Sequence, residues 1–132
     1  MAVVTPAEEA QRRFDRNFDA NQPITLQGRV IKFEWGNPRS QIHMDVIDSG
    51  TGKQSRWTVE AGSPSALLRA GWIRSTLPPG TEITVPAFRA RDGSNHASAA
   101  DIGFPDGGRL TLGNAPAEAA IAAAAAGRAQ QP

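Results

Sequence analysis

Between Ile24 and Trp35 the apolar residues change phase once, and that change limits what the chain can become. Ile24, Leu26 and Val30 share one parity, while Ile31, Phe33 and Trp35 share the other. A strand sends alternate side chains to opposite faces, so a flat strand cannot bury both sets on one side. A bulge or sharp coil near 28–31 resolves the conflict and lets one long strand serve both halves of a small barrel. Gly36, Asn37 and Pro38 then stop the strand, because proline lacks a ladder donor and restricts the residue before it. A second run alternates Ile42, Met44 and Val46 against Gln41, His43 and Asp45. Ser49, Gly50, Thr51 and Gly52 supply a turn, and a third run sets Trp57 and Val59 opposite Arg56, Thr58 and Glu60.

The flanking segments read as caps on this meander. Thr5, Pro6, Glu8 and Glu9 form a helix start, and Ala10, Phe14 and Phe18 recur four apart as a buried stripe, with Arg12, Arg13 and Arg16 exposed. Asp19 to Pro23 reads as a turn. Ser63 and Pro64 open a short helix with Leu67 and Leu68 as packing residues, and Trp72 and Ile73 follow as core anchors. Ile83, Val85 and Ala87 share one face of a strand over 81–90, where Pro86 predicts an edge or bulge. Asp92-Gly93 turns the chain into a small-residue strand over 96–104, and 109–112 forms a last short one. The order predicts an all-β fold: a small five- to six-stranded, partly open, OB-like barrel, with short helices at the N-terminus and between strands 3 and 4. The organisation expected is a helical segment over 1–19, a barrel over 20–112 and an Ala-rich low-complexity tail over 113–132. In that tail Pro116 and Glu118 start a helix running to Ala126 that lacks the apolar side chains for firm docking.

Composition removes several functional classes. Fourteen Lys and Arg against 13 Asp and Glu leave a formal charge of +1 with no long basic run, which argues against nucleic acid. Cysteine is absent, so disulfides and thiolate metal sites are excluded. No stretch has the length and hydropathy of a membrane span, and no basic-then-apolar leader precedes the domain, so the expected location is the cytoplasm as given, or export if a signal has been removed.

Several motifs carry competing readings. Gly50-Thr51-Gly52-Lys53 has Ile47 where a phosphate loop needs glycine and Gln54 where it needs Ser or Thr, so it reads as a hairpin turn. His43 and His96, with Asp45 or Asp101, lack a compact ligand spacing, and neither a metal nor a cofactor is expected. Arg39, Arg56, Arg74, Arg89 and Arg91 can gather with Trp35, Trp57 or Trp72, yet acidic residues interrupt them along the chain. His43 and Asp45 share a parity and project away from the apolar layer, where His43 can exchange a proton and Asp45 or Glu60 can orient a substrate.

The chain also resembles a bacterial family of small, mostly exported β-barrel proteins of unknown function. The likeness rests on 18–28 (FDANQPITLQG), 34–38 (EWGNP), 57–60 (WTVE), 68–72 (LRAGW) and 89–94 (RARDGS), and spans roughly Phe14 to Leu112. It implies a compact barrel and supplies no reaction. Members commonly carry a histidine pair where this chain has Arg12-Arg13, and often a histidine where it has Arg39. If those histidines hold a metal in relatives, the guanidinium groups here repel a cation and suit an anion or carboxylate instead.

Three functions follow as expectations. The first is a small-molecule binding domain, for an anionic or aromatic ligand, with a cavity between the curled sheet and its helical plugs; Arg39, Trp57 and Trp72 bind the ligand, beside His43 and Glu60. The second is a cofactor-independent isomerase, cyclase or lyase, with catalytic His43, Asp45 and Glu60 and with Arg39 stabilising negative charge. The third is a protein-interaction scaffold using a sheet edge and the Ala-rich tail. A homo-oligomer is compatible with each.

Overall fold

The structure, a computed structural model, describes residues 3–48 and 50–129, and of 127–129 the backbone alone. Ser49, expected in a turn, and the last three residues of the expected tail lie outside the described residues. Helix α1 (Pro6–Asn17) starts as its sequence dictates: the Glu8 N–H donates to Thr5 Oγ1 at 3.1 Å, and Pro6 occupies the first turn. The helix stops one residue before Phe18, which is already extended and buries its ring 5.6 Å from that of Phe14. Strand β1 (Phe18–Glu34) follows without the expected turn at 19–23. Phe18 pairs with Ala90 and Pro23 with Phe88, so four residues of β1 bow outward opposite the single residue Arg89.

β1 is the long shared strand that the phase change requires. Pro23 to Arg29 pairs with β4 (Glu82–Ala90), and Gly28 to Glu34 pairs with β2 (Gln41–Ile47). The extra residue is Ile31: Val30 faces Met44 and Lys32 faces His43, leaving Ile31 between them and moving Phe33 and Trp35 onto the core side. Gly28 is paired on both sides, and a Cβ there would run into the Asp45 carbonyl oxygen. β3 (Gln54–Glu60) continues the antiparallel meander, while β5 (His96–Ala99) lies parallel to β3 and antiparallel to β4. The order β1-β2-β3-β5-β4 returns to β1, so five strands close into a barrel.

Two more strands, β6 (Asp101–Gly103) and β7 (Arg109–Thr111), extend the sheet beyond β4. The single strand expected over 96–104 is therefore broken at Ala100, whose carbonyl turns to accept from the Leu112 N–H at 2.8 Å. Pro86 is not at an outer edge. It sits between the β4 residues that pair with β6 (Thr84) and those that pair with β5 (Ala87 onward), where the second neighbour of β4 changes.

Leu26, Val30, Ile42, Met44, Val59 and Trp72 fill the ring's interior. Helix α2 (Pro64–Arg69) is capped by Ser63 and buries Leu67. Leu68 and Ile73, expected in the core, are each 61% exposed. So short a helix offers the barrel one narrow face, which Leu67 occupies, and Trp72, three residues past its end, fills the place beside it. A second apolar cluster lies outside the ring, where Phe14, Phe18, Phe88, Ala90, Ala100 and Ala117 join α1 and helix α3 (Ala115–Ala129) to the wall. The first turn of α3 is thus docked, contrary to the loose tail expected. Alanine's small side chain lets the helix approach closely, and the Asn114 carbonyl receives the Glu118 N–H at 3.0 Å. No helix among the described residues is long and apolar enough to cross a membrane.

Candidate functional site

Alternation along β3 points Trp57 and Val59 inward and Thr58 and Glu60 outward. On an open sheet Glu60 would face water. Here the Arg13 side chain reaches it from α1, and the Glu60 side chain is 4% exposed. Burial of Phe14 against Phe18 and Phe88 fixes the helix, and the neighbouring Arg13 reaches Glu60 with both prongs of its guanidinium. Arg13 Nη2 donates to Oε1 at 2.6 Å and Nη1 to Oε2 at 2.9 Å, a fork-to-fork pair of the strong kind. Arg13, expected as an exposed helix residue, is instead a contact of the barrel wall.

Two further side chains converge on the same carboxylate. Arg39, from the β1–β2 loop, places Nε 4.0 Å from Oε2 and retains 26% side-chain exposure. It makes no hydrogen bond among the described residues. His96, the first residue of β5, places Nε2 3.6 Å from Oε1; that nitrogen is buried and has no hydrogen-bond partner among the described residues. The imidazole packs nearly perpendicular to the Phe18 ring, with ring centres 5.6 Å apart. The parallel β3–β5 register, Thr58 against His96 and Glu60 against Ser98, brings His96 to Glu60. Beneath them, Asn114 Nδ2 donates to Ser98 Oγ at 2.8 Å, the Ala99 carbonyl at 3.0 Å and the Glu60 carbonyl at 3.3 Å.

The two arginines do not share the carboxylate equally. The hydrogen bonds to Glu60 raise the Arg13 pKa above its ordinary value despite burial. Arg39 moves the other way, lowered by its burial and then by repulsion from Arg13, with Glu60 only partly offsetting them. Arg13 is a satisfied cation, and Arg39 is short of negative charge.

The remaining sequence candidates lie elsewhere. His43 faces outward on β2, with Nε2 3.1 Å from Glu34 Oε1 and Nδ1 3.3 Å from Thr58 Oγ1, so both ring nitrogens are engaged. That contact, with help from Lys32, holds the Glu34 carboxyl below its ordinary value. Asp45 accepts from Arg56 Nε at 3.0 Å. Trp57 is buried toward the interior, its Nε1 bonded to Ser55 Oγ and the Arg89 guanidinium 5.1 Å above its ring. Trp72 is a core residue, stacked on Phe33 at 5.1 Å and donating from Nε1 to the Thr111 carbonyl at 2.8 Å. The fold thus unites Arg39 with Glu60 and sets His43 diagonally across from them, through the Gln41–Glu60 and His43–Thr58 pairs. Trp57 and Trp72 are on the other side of the wall.

The arginines considered as one face also disperse: Arg56 goes to Asp45, Arg89 to the Gly93 carbonyl, and Arg91 to the Asp15 carbonyl. A surface cleft of about 410 Å³, lined by Gln27, Arg29, Ile47, Glu82 and Thr84 among others, includes none of the predicted site residues.

No curated protein and no solved structure matches the chain. One family model does, over residues 1–99, a stretch that holds Arg13, Arg39, Glu60 and His96. The chain therefore belongs to that family, the family of unknown function DUF6152.

Proposed function

We propose that this protein binds a small anion, a carboxylate or phosphate-type group, on the outer wall of an OB-like barrel, with Arg39 as the anchor. The observation that carries the reading is the condition of Arg39: three-quarters buried, without a hydrogen bond among the described residues, beside a carboxylate whose two oxygens Arg13 already holds. A guanidinium largely covered by protein but still open to solvent, with no hydrogen-bond acceptor among the described residues, is under-solvated, and an incoming oxyanion supplies charge-assisted N–H···O bonds. With His96 neutral, Arg13, Arg39 and Glu60 sum to one positive charge, which an incoming monoanion cancels. The parallel β3–β5 pair and the helix between β3 and β4 support the OB-like assignment and put Arg39 in the β1–β2 loop at the barrel's rim. Proton transfer by His43 has less support, because both its nitrogens are engaged and Asp45 and Glu60 are each paired with an arginine.

Titration of inorganic phosphate and of benzoate, followed by the backbone amides of 36–43, tests the reading. A lone small anion is expected to bind with Kd of about 1 mM or somewhat tighter. Arg39→Ala should weaken it at least about tenfold, while Arg12→Ala, at an exposed position of α1, should not. Equal affinity in wild type and Arg39→Ala would reject the proposal.

A further inference from the structure

His96 has a place in this cluster that hydrogen bonding does not account for. Its Nε2 is buried, faces Glu60 Oε1 at 3.6 Å and has no hydrogen-bond partner among the described residues, although a ring nitrogen so placed ordinarily has one. Phe18 stands nearly perpendicular to its ring and offers no hydrogen-bond acceptor, and Thr58 is its register partner on β3. The charged groups around it come from four segments: Glu60 from β3, Arg13 from α1, Arg39 from the β1–β2 loop, and Asp92 from the turn before β5. The Asp92 carboxyl is kept low mainly by Ser94 and in smaller part by the His96 charge. Arg39 and His96 approach opposite oxygens of one carboxylate.

We infer that His96 sets the anion affinity of the Arg39 site through its protonation. Protonated, it engages Oε1 of Glu60, draws that carboxylate's charge away from Arg39 and raises the cluster from one positive charge to two. Neutral, it leaves Glu60 to Arg13 and Arg39, and the site holds an anion less well. The inference rests on the anion-binding reading and adds a ligand preference, since the protonated cluster suits a doubly charged oxyanion. His96 and His43 are the chain's two histidines, and histidine is the side-chain type whose ordinary charge change falls between about pH 5 and 8.

Sulfate is the probe, because it stays doubly charged where phosphate would itself titrate. Its Kd is measured by NMR at about pH 5.5 and about pH 8 for wild type, His96→Gln, His43→Gln and Arg39→Ala. Wild type and His43→Gln should bind about tenfold tighter at the lower pH, the effect of one added charge at short range. His96→Gln should lose that difference. In the wild type, sulfate should raise the His96 pKa read from its ring resonances, by reciprocity of linked equilibria, a readout that needs no variant. Arg39-dependent binding that is equal at both pH values, or an unmoved His96 pKa, overturns the role of His96 and leaves the anion site standing. Binding absent at both pH values, or unaffected by Arg39→Ala, overturns both.

Discussion

Replacing Glu60 by glutamine keeps the shape of the side chain and removes the charge on which three basic residues converge. Arg13 then loses its acceptor fork, because one glutamine position becomes an NH₂ that faces a guanidinium donor. Removing one partner of a fully buried ion pair costs about 3–5 kcal/mol, and the 30% exposure of Arg13 reduces this to about 2–3 kcal/mol. At about 4 °C per kcal/mol for a chain of this size, the thermal midpoint should fall by about 8–12 °C. Urea unfolding at neutral pH measures the loss directly. The variant should also recover more stability than the wild type from dilute sulfate, at ionic strength matched with chloride, because Arg13 and Arg39 are then both open to an anion. A loss under about 0.5 kcal/mol, or the same response to sulfate in both proteins, would refute the reasoning.

Arg39→Met should remove anion binding yet change stability by less than about 1 kcal/mol, because a part-exposed cation 4.0 Å from a carboxylate that Arg13 already holds contributes little to the fold; a loss above about 2 kcal/mol would mean that Arg39 holds the structure. Gly28→Ala drives a Cβ into the Asp45 carbonyl and must part β1 from β2, so it should cost at least about 2–3 kcal/mol, and a wild-type urea midpoint would contradict the close approach. The carboxyls of Glu34, Asp48 and Asp92 are held below their ordinary values by hydrogen bonds, chiefly from His43, from Thr51 and Gly50, and from Ser94. Groups depressed in the folded state stabilise it fully above their unfolded pKa, and that stability is lost as pH falls through the folded values. The urea midpoint should therefore decline below about pH 4.5, and a flat profile down to about pH 3 would contradict it.

The parts legible in the sequence are those fixed by neighbours along the chain. Alternation with period two located the bulge, because Ile24, Leu26 and Val30 cannot share a flat strand with Ile31, Phe33 and Trp35; the structure inserts Ile31 at that point. The caps at Thr5 and Ser63 were equally local. The site was less accessible, because it depends on contacts distant in sequence. Glu60 has the parity of a solvent-facing residue, and side chains from three distant segments, Arg13 on α1, Arg39 in the β1–β2 loop and His96 on β5, crowd its carboxylate. His96 reaches Glu60 through a parallel strand pair that no turn signal announces. Trp57 and Trp72 resembled ligand platforms because they lie among arginines along the chain, but both rings are buried and Ser55 and the Thr111 carbonyl take their indole N–H groups. Asn114 had no signal beyond its place before a helix.

The central claim is that Arg39 is a cation awaiting an anion, and the guanidinium Nε–H resonances report on it directly. During addition of phosphate, the Arg39 Nε–H signal should shift in a saturable way while that of Arg13, held by Glu60, stays near its starting position. An unmoved Arg39 signal, or one that drifts only in parallel with exposed Arg12, would contradict the account.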